Sequence, residues 1–449
     1  MRQRADGATL ACLYLLALLI IPARLIVAFV PITLPPAMVV ALFLGVVWFS
    51  THLMDTMSMA KGRNAVRTAI AIFLVIHLLT FARATRRYLP TDELSVADSS
   101  MIRILAMVTV AVFICDAVRG RDRLDRVLRV LTACVAVVAF VGLVQFGLGV
   151  DLASYVNLPG LRLQENAYAA FESRSIFRRP SGTVNHPIEF GLICAIAVPL
   201  AAHFLFQSRD RGVHTGRWVL VLALVGLGAI LSLSRTAIIG LVVAGLVMGI
   251  MLPRRRGIPM LAFGAVFFVG ASAVVPGLLG TLSGMFSNIE DDPSFQGRTK
   301  DYDGAWKEIA LHPWLGRGFG TFLPSKNPIL DNQYLLTMIE NGYLGLCAFA
   351  GLFLVSIYAA LKARSLTKDE NLRGIAACLV CASLVSALGA ATFDLLSFSV
   401  ATGLLFVVVG ASGALLRVTR AEALADPVSV PAAGRLQKMR RKQKARSGR

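Results

Sequence analysis

LLSFSVATGLLFVVVGASGALL, residues 395–416, runs for 22 positions without a charged side chain. A stretch of that kind meets the roughly 20 apolar residues that a helix needs to cross a bilayer. Comparable runs recur along the chain, at about 8–22, 34–50, 67–82, 100–117, 128–149, 187–206, 217–232, 235–252, 258–277, 332–361 and 372–391. With 56% apolar and 16% charged residues, the composition excludes an ordinary soluble domain, and the spacing of the runs leaves no room for one. The expected fold is therefore all-α, a polytopic integral membrane helix bundle of about 12 transmembrane helices, occupying residues 1–417. Pro22, Arg24, Pro31, Pro35 and Pro36 crowd the first connection, so the first two runs also read as one re-entrant or broken segment. The first run shows no small-residue cleavage site and reads as a retained span. The seventh and eighth runs, joined only by SLSR (232–235), read as a hairpin.

Basic residues set the orientation, because short Lys- and Arg-rich loops stay on the cytoplasmic side. Thirty of the 45 Lys and Arg residues fall in one alternate set of loops and in the tail from Arg417, which places both termini in the cytoplasm. Residues 418–449 read as a basic, disordered cytoplasmic tail attracted to anionic lipid. The net charge of +19 does not indicate nucleic acid, since the tail has no fold and no interleaved aromatics. The seven cysteines lie in or beside apolar runs and read as packing residues. No His, Cys, Asp or Glu set has metal-ligand spacing, and no nucleotide motif or GxSxG elbow is present, so neither a metal nor another cofactor is expected.

Two outer connections are long, 151–186 and 277–331. The second holds Tyr302, Ala305, Trp306, Ile309 and Ala310 at helical spacing, a short amphipathic helix expected to lie along the membrane face or to dock on the bundle, and to end at His312-Pro313. Cations collect in these outer segments: Arg174, Arg178 and Arg179 before the sixth run, Arg235 at the hairpin, Arg298 and Arg317 in the large loop. Each alone suits a headgroup contact; several converging from three loops suit phosphate oxygens, which the planar guanidinium binds in pairs. Arg235 has no acid close to it in sequence. GRGFGTF (316–322) reads as a flexible turn, although its glycines could aim N–H groups at an anion. His186 reads as the end of its loop or as a supporting proton-transfer group.

LDNQYLLTMIENGYLGL, 330–346, turns from polar loop to apolar helix with Asp331 at the junction and Glu340 about 2.5 turns further in. A carboxylate beside hydrocarbon needs a partner or a task. Glu340 is expected to make a structural hydrogen bond to a neighbouring span. Asp331 is the candidate general base, with Asn332 and Gln333 to orient it or bind sugar.

The stretches RRPSGTVNHPIEFG (178–191), LSLSRTAIIGL (231–241), GRTKDYDGAWKEIALHPWLGRGFGTF (297–322) and DNQYLLTMIENGYLGL (331–346), in that order, resemble the O-antigen ligase and polymerase family of bacterial envelope glycosyltransferases over about 100–415. The resemblance implies a twelve-span enzyme of the inner (cytoplasmic) membrane. It would move a glycan from a polyprenyl-diphosphate carrier to a glycan or other hydroxyl acceptor at the outer face, without metal. Arg178 or Arg179 and Arg235 would bind the diphosphate, with Arg298 as a further contact and Arg317 in support. Lipid A-core ligases of the family carry a functional histidine where this chain has Asp331, which shifts the implied reaction toward a polymerase or a ligase with another acceptor. The competing reading is a transporter of a lipid-linked or anionic solute. It would call for internal repeats or polar, broken mid-span helices, which the sequence does not display.

Overall fold

The computed structural model describes residues 6–30, 33–53, 63–164, 172–174, 177–274, 277, 280, 302 and 304–425. Arg298 and the tail from residue 426 lie outside the described residues. Among the described residues there are twelve helices of 13 residues or more. They are α1 (Gly7–Leu19), α2 (Pro36–Leu53), α3 (Ala65–Thr85), α4 (Thr91–Ala117), α5 (Arg121–Leu148) and α6 (Pro187–Asp210), followed by α7 (Gly216–Leu231), α8 (Arg235–Met251), α9 (Arg254–Val274), α10 (Gln333–Leu366), α11 (Glu370–Thr392) and α12 (Ser399–Ala425). Seven of these, α3 to α6 and α10 to α12, are long and apolar enough to cross a membrane; α1, α2, α7 and α8 are shorter apolar helices. α9, which opens on Arg254-Arg255-Arg256, falls in neither set.

The helices are apolar around their whole circumference, which in a small bundle leaves apolar side chains outside as well as inside. α12 is almost wholly buried, whereas α2, α3 and α8 turn Phe43, Val46, Ile72, Leu79, Val242 and Leu246 outward. Those faces suit hydrocarbon, where hydrogen bonding must be satisfied inside each helix. α12 packs against α4, α10 and α11, and α6 against α7, α8 and α11. The Ser356 hydroxyl lies 2.8 Å from that of Ser383 and 2.9 Å from that of Ser412, joining α10, α11 and α12 at a dry point where small polar residues allow close approach.

Over its described residues the first connection is not helical. α1 stops at Leu19, and the chain leaves as the strand β1 (Leu25–Val27), which pairs antiparallel with β2 (Leu161–Leu163) in the long connection 151–186. A second ribbon pairs β3 (Glu172–Arg174) with β4 (Phe177–Arg179). α4 begins nine residues before the expected span, because Glu93 in its first turn is ion-paired to Arg317 and Lys326. The helical residues 304–311 of the large loop dock on the bundle through Ala305 and Ile309, which join Leu330, Leu335, Met338 and Ile339 in a satellite apolar cluster.

The end carrying the α2–α3 and α4–α5 connections is pinned by a buried acid. Asp116 accepts from Trp48 Nε1 at 3.1 Å, Arg67 at 3.2 Å and Arg417 at 2.6 Å, tying α2, α3, α4 and α12 together. The opposite end carries the candidate site.

Candidate active site

The site is organised around a break in α10. Gly342 has φ 65° and ψ −167°, a conformation essentially restricted to glycine, so the helix loses its regular hydrogen bonds near Glu340–Gly342. The large loop replaces them. The N–H groups of Arg317 and Gly318 donate to the carbonyls of Ile339 (2.7 Å) and Glu340 (2.9 Å), while those of Tyr343 and Leu344 donate to the carbonyls of Pro313 (2.7 Å) and Trp314 (3.3 Å). GRGFGTF is therefore a backbone splice and not a flexible turn; its Arg317 and Gly318 donors are committed to α10. Broken backbone at membrane depth is tolerated when protein satisfies it in this way. Glu340 completes the splice by accepting from the Phe322 N–H at 3.3 Å, so its structural partner is the loop and not a neighbouring span. Arg83 clamps the same loop from α3 by donating to the Gly316 carbonyl at 2.6 Å.

Behind the splice lies a cavity of about 530 Å³, lined among others by Arg103, Phe319, Gln333, Glu340, Asp394 and Ser397. Asn332 caps α10, its side chain accepting from the N–H groups of Tyr334 (3.0 Å) and Leu335 (3.4 Å). Gln333 is buried; its amide accepts from the Leu396 N–H at 2.8 Å and donates to Thr337 at 3.2 Å, holding the α11–α12 connection against the start of α10. Arg103 reaches from α4 to the carbonyls of Leu396 (3.5 Å) and Ser397 (3.4 Å) in the same connection. Asp394 sits there, and burial pushes its carboxyl up to about 6 against the opposing hydrogen bond of Ser397; the Asp331 charge raises it further and the His186 charge lowers it. Asp331 is half-buried at the junction, near enough to Asp394 to repel it.

The arginine half of the site is built by strand alternation and a hairpin. Successive residues of β4 point to opposite faces, so Arg179 is buried and Arg178 exposed, its guanidinium lying over Gly149 at the end of α5. Arg179 Nε donates to the Ser232 carbonyl at 3.3 Å, which seats it on the SLSR hairpin three residues before Arg235, the first residue of α8. Gln145 fixes the chain just after Arg179 by accepting from the N–H groups of Ser181 (3.1 Å) and Gly182 (2.7 Å). The two halves touch through Thr236 and Thr392, whose hydroxyls are 2.7 Å apart, one residue after Arg235 and two before Asp394. His186 caps α6 with Nδ1 accepting from the Ile188 N–H at 3.1 Å, and its ring meets Phe398 edge-on at 5.7 Å.

Arg179, Arg235, His186, Asp331, Asn332 and Gln333 thus belong to one end of the bundle, with Arg178 turned to the surface. Arg317 is held by both carboxylate oxygens of buried Glu93 at 3.2 Å, so its charge is engaged in bracing α4. Asp394 and Arg103 were not among the candidates read from the sequence. An isolated acid between two apolar runs, the signal that singled out Asp331, also marks Asp394. Among the described residues, no three His, Cys, Asp or Glu side chains come together as a metal site.

No curated protein matches the chain. Residues 219–359 match the family model described as O-antigen ligase. The match takes in the SLSR hairpin, the large loop and the spliced start of α10, and with the membrane-length helices it supports a membrane ligase or polymerase role. Over residues 219–359, about a third of its length, the chain is accordingly similar to the O-antigen ligase family.

Proposed function

We propose that the protein is a membrane glycosyltransferase that ligates or polymerises a polyprenyl-diphosphate-linked glycan onto an acceptor hydroxyl at the outer face of the cytoplasmic membrane, with twelve spans and both termini in the cytoplasm. The observation that carries this reading is the family match, because it covers both the arginine hairpin and the acid-bearing helix start.

In this reading Arg179 and Arg235 hold the carrier's diphosphate, with Arg178, and Arg298 from the large loop, as outer contacts. The acceptor's sugar occupies the cavity behind the splice. Its hydroxyl oxygen attacks the anomeric carbon, the bond from that carbon to the diphosphate oxygen breaks, and the departing diphosphate keeps the electron pair. Asp394 takes the hydroxyl proton; a carboxylate near 6 is matched to that task at neutral pH. Burial holds Asp394 in that range, with the Asp331 charge adding to it, and Asp331 orients the acceptor together with Gln333. Arginines fixed in advance around the developing charge stabilise it, so the leaving group needs neither a metal nor a strong acid. An apolar cleft of about 480 Å³ between α6, α7, α8 and α9 runs from Ile230 and Ile238, beside the hairpin, to Leu246 and Leu261. It suits the polyprenyl tail.

The test is complementation of cells lacking the chain. The wild type restores the finished envelope glycan; Arg235→Lys and Asp394→Asn, inserted at normal levels, leave lipid-linked glycan accumulated. Full restoration by both variants contradicts the site.

A further inference from the structure

The end of the bundle opposite the candidate active site contains a second pocket, of about 360 Å³, where the α8–α9 and α10–α11 connections meet. Its wall holds four cations, Arg256, Arg364, Lys368 and Arg373, and one acid, Glu370. Other arginines at this end are matched: Arg67 and Arg417 to Asp116, Arg123 to Asp6, Arg129 to Asp125. In the pocket the single acid is already taken, because Arg255 and Arg256 both donate to Glu370. Arg364 is consumed by backbone, donating to the carbonyls of Arg373 (3.0 Å) and Met251. That leaves Arg373, half-buried, and Lys368, exposed; among the described residues neither has a hydrogen bond from its charged group or a carboxylate within ion-pair distance. Arg373 meets Glu370 only at longer range, and that carboxylate is already shared by Arg255 and Arg256, so a half-buried guanidinium is left under-neutralised, which is costly to hold in place.

The pocket's remaining wall is apolar. Ile250, the neighbour of Met251 and Leu252 at the end of α8, is 83% exposed. A cationic pocket whose lip is a bare hydrocarbon side chain lies where headgroups meet acyl chains. Basic pockets between spanning helices bind phosphate headgroups in that position.

We propose that this pocket binds the phosphate of an anionic membrane lipid, with Arg373 and Lys368 on the phosphate oxygens and the acyl chains along the outer face of α8. The site is separate from the glycan-transfer site, and its test does not depend on that reaction.

The experiment is native mass spectrometry of the full chain in zwitterionic detergent, titrated with phosphatidylglycerol, with phosphatidylcholine and with inorganic phosphate. Phosphatidylglycerol is expected to bind the wild type, and Arg373→Gln/Lys368→Gln to weaken it about 30-fold, at about 1 kcal/mol for each basic residue removed. Lys368→Gln alone, at an exposed position that folding does not depend on, should weaken it about 5-fold. Arg209→Gln/Arg254→Gln removes the same charge from exposed positions and should leave binding intact. The proposal is overturned if the pocket variants bind as tightly as the wild type, or if the Arg209/Arg254 pair loses as much. Equal occupancy by phosphatidylcholine also overturns it. Inorganic phosphate binding as tightly as the lipid would assign the pocket to a soluble anion and overturn it too.

Discussion

Gly342→Ala tests whether the splice holds the site together. A Cβ at position 342 would stand 2.3 Å from the Trp314 carbonyl carbon and 2.4 Å from its oxygen, backbone atoms that no rotamer change can move. The residue would also keep φ 65° with ψ −167°, a strain of about 1–3 kcal/mol for a side chain-bearing residue. Forcing the loop aside adds about 1–3 kcal/mol of overpacking. Relief by sliding the loop instead removes the Tyr343–Pro313 and Leu344–Trp314 hydrogen bonds, at about 0.5–1.5 kcal/mol each. Either route gives a loss of about 2–6 kcal/mol. The loop that would shift carries Phe319 and Phe322 into the cavity, so transfer should fall with stability. The assay is thermal unfolding of detergent-purified protein, with Gly351→Ala as the control. That glycine lies in the same helix with nothing within 4 Å of a new Cβ, and helix propensity predicts a gain of up to about 1 kcal/mol. If Gly342→Ala melts with the wild type, the backbone splice is not structurally required and the reasoning fails.

Asp394→Asn should lower transfer by about 10²- to 10⁴-fold with little change in the donor's KM, measured as polyprenyl diphosphate released. Wild-type activity should rise with pH through about 6, as the Asp394 carboxylate forms, and the Asn variant should lose that inflection. Stability from the same group runs the other way. Its folded-state value near 6 lies above the ordinary 3.8, so its contribution is fullest below about pH 4 and declines as pH rises toward 6. Melting temperature against pH checks the sign. Arg179→Lys loses the Nε donor to the Ser232 carbonyl and the planar guanidinium, and should impair donor turnover while leaving the melting temperature within a few degrees. Asp116→Ala leaves Arg67 and Arg417 facing a buried void and should cost about 3–5 kcal/mol in the same melting assay, without a change in the pH profile.

The helices were legible because lipid asks only for length and apolarity, which a sequence displays directly; the capping role of Asn332, expected instead to orient Asp331 or bind sugar, was not. The splice was not. Gly342 follows Glu340-Asn341 in a helix that otherwise reads as continuous, and what it meets, Trp314, lies 28 positions earlier; only the paired backbone reveals why the glycines at 316 and 342 are there. The early start of α4 was hidden for a related reason. Thr91–Ser100 is polar, and the Glu93–Arg317 ion pair that recruits it joins residues 224 apart. Charge alone grouped the arginines, but that Arg179 is buried beside the hairpin while Arg178 is exposed, and that Arg317 pairs with Glu93, required the strand's two faces and the loop's path. Asp394 carried the same local signal as Asp331, an acid between apolar runs, but the charges that surround it, Arg103, His186 and Asp331, come from three other elements.

The most direct test uses the purified chain with a polyprenyl-diphosphate-linked glycan and a saccharide acceptor, following release of the diphosphate carrier. The account predicts acceptor-dependent release by the wild type, and release at least 100-fold slower with Asp394→Asn or Arg235→Lys in well-folded protein. Release that proceeds at the wild-type rate in both variants, or a wild type that binds donor and acceptor yet forms no new glycosidic bond, would contradict it.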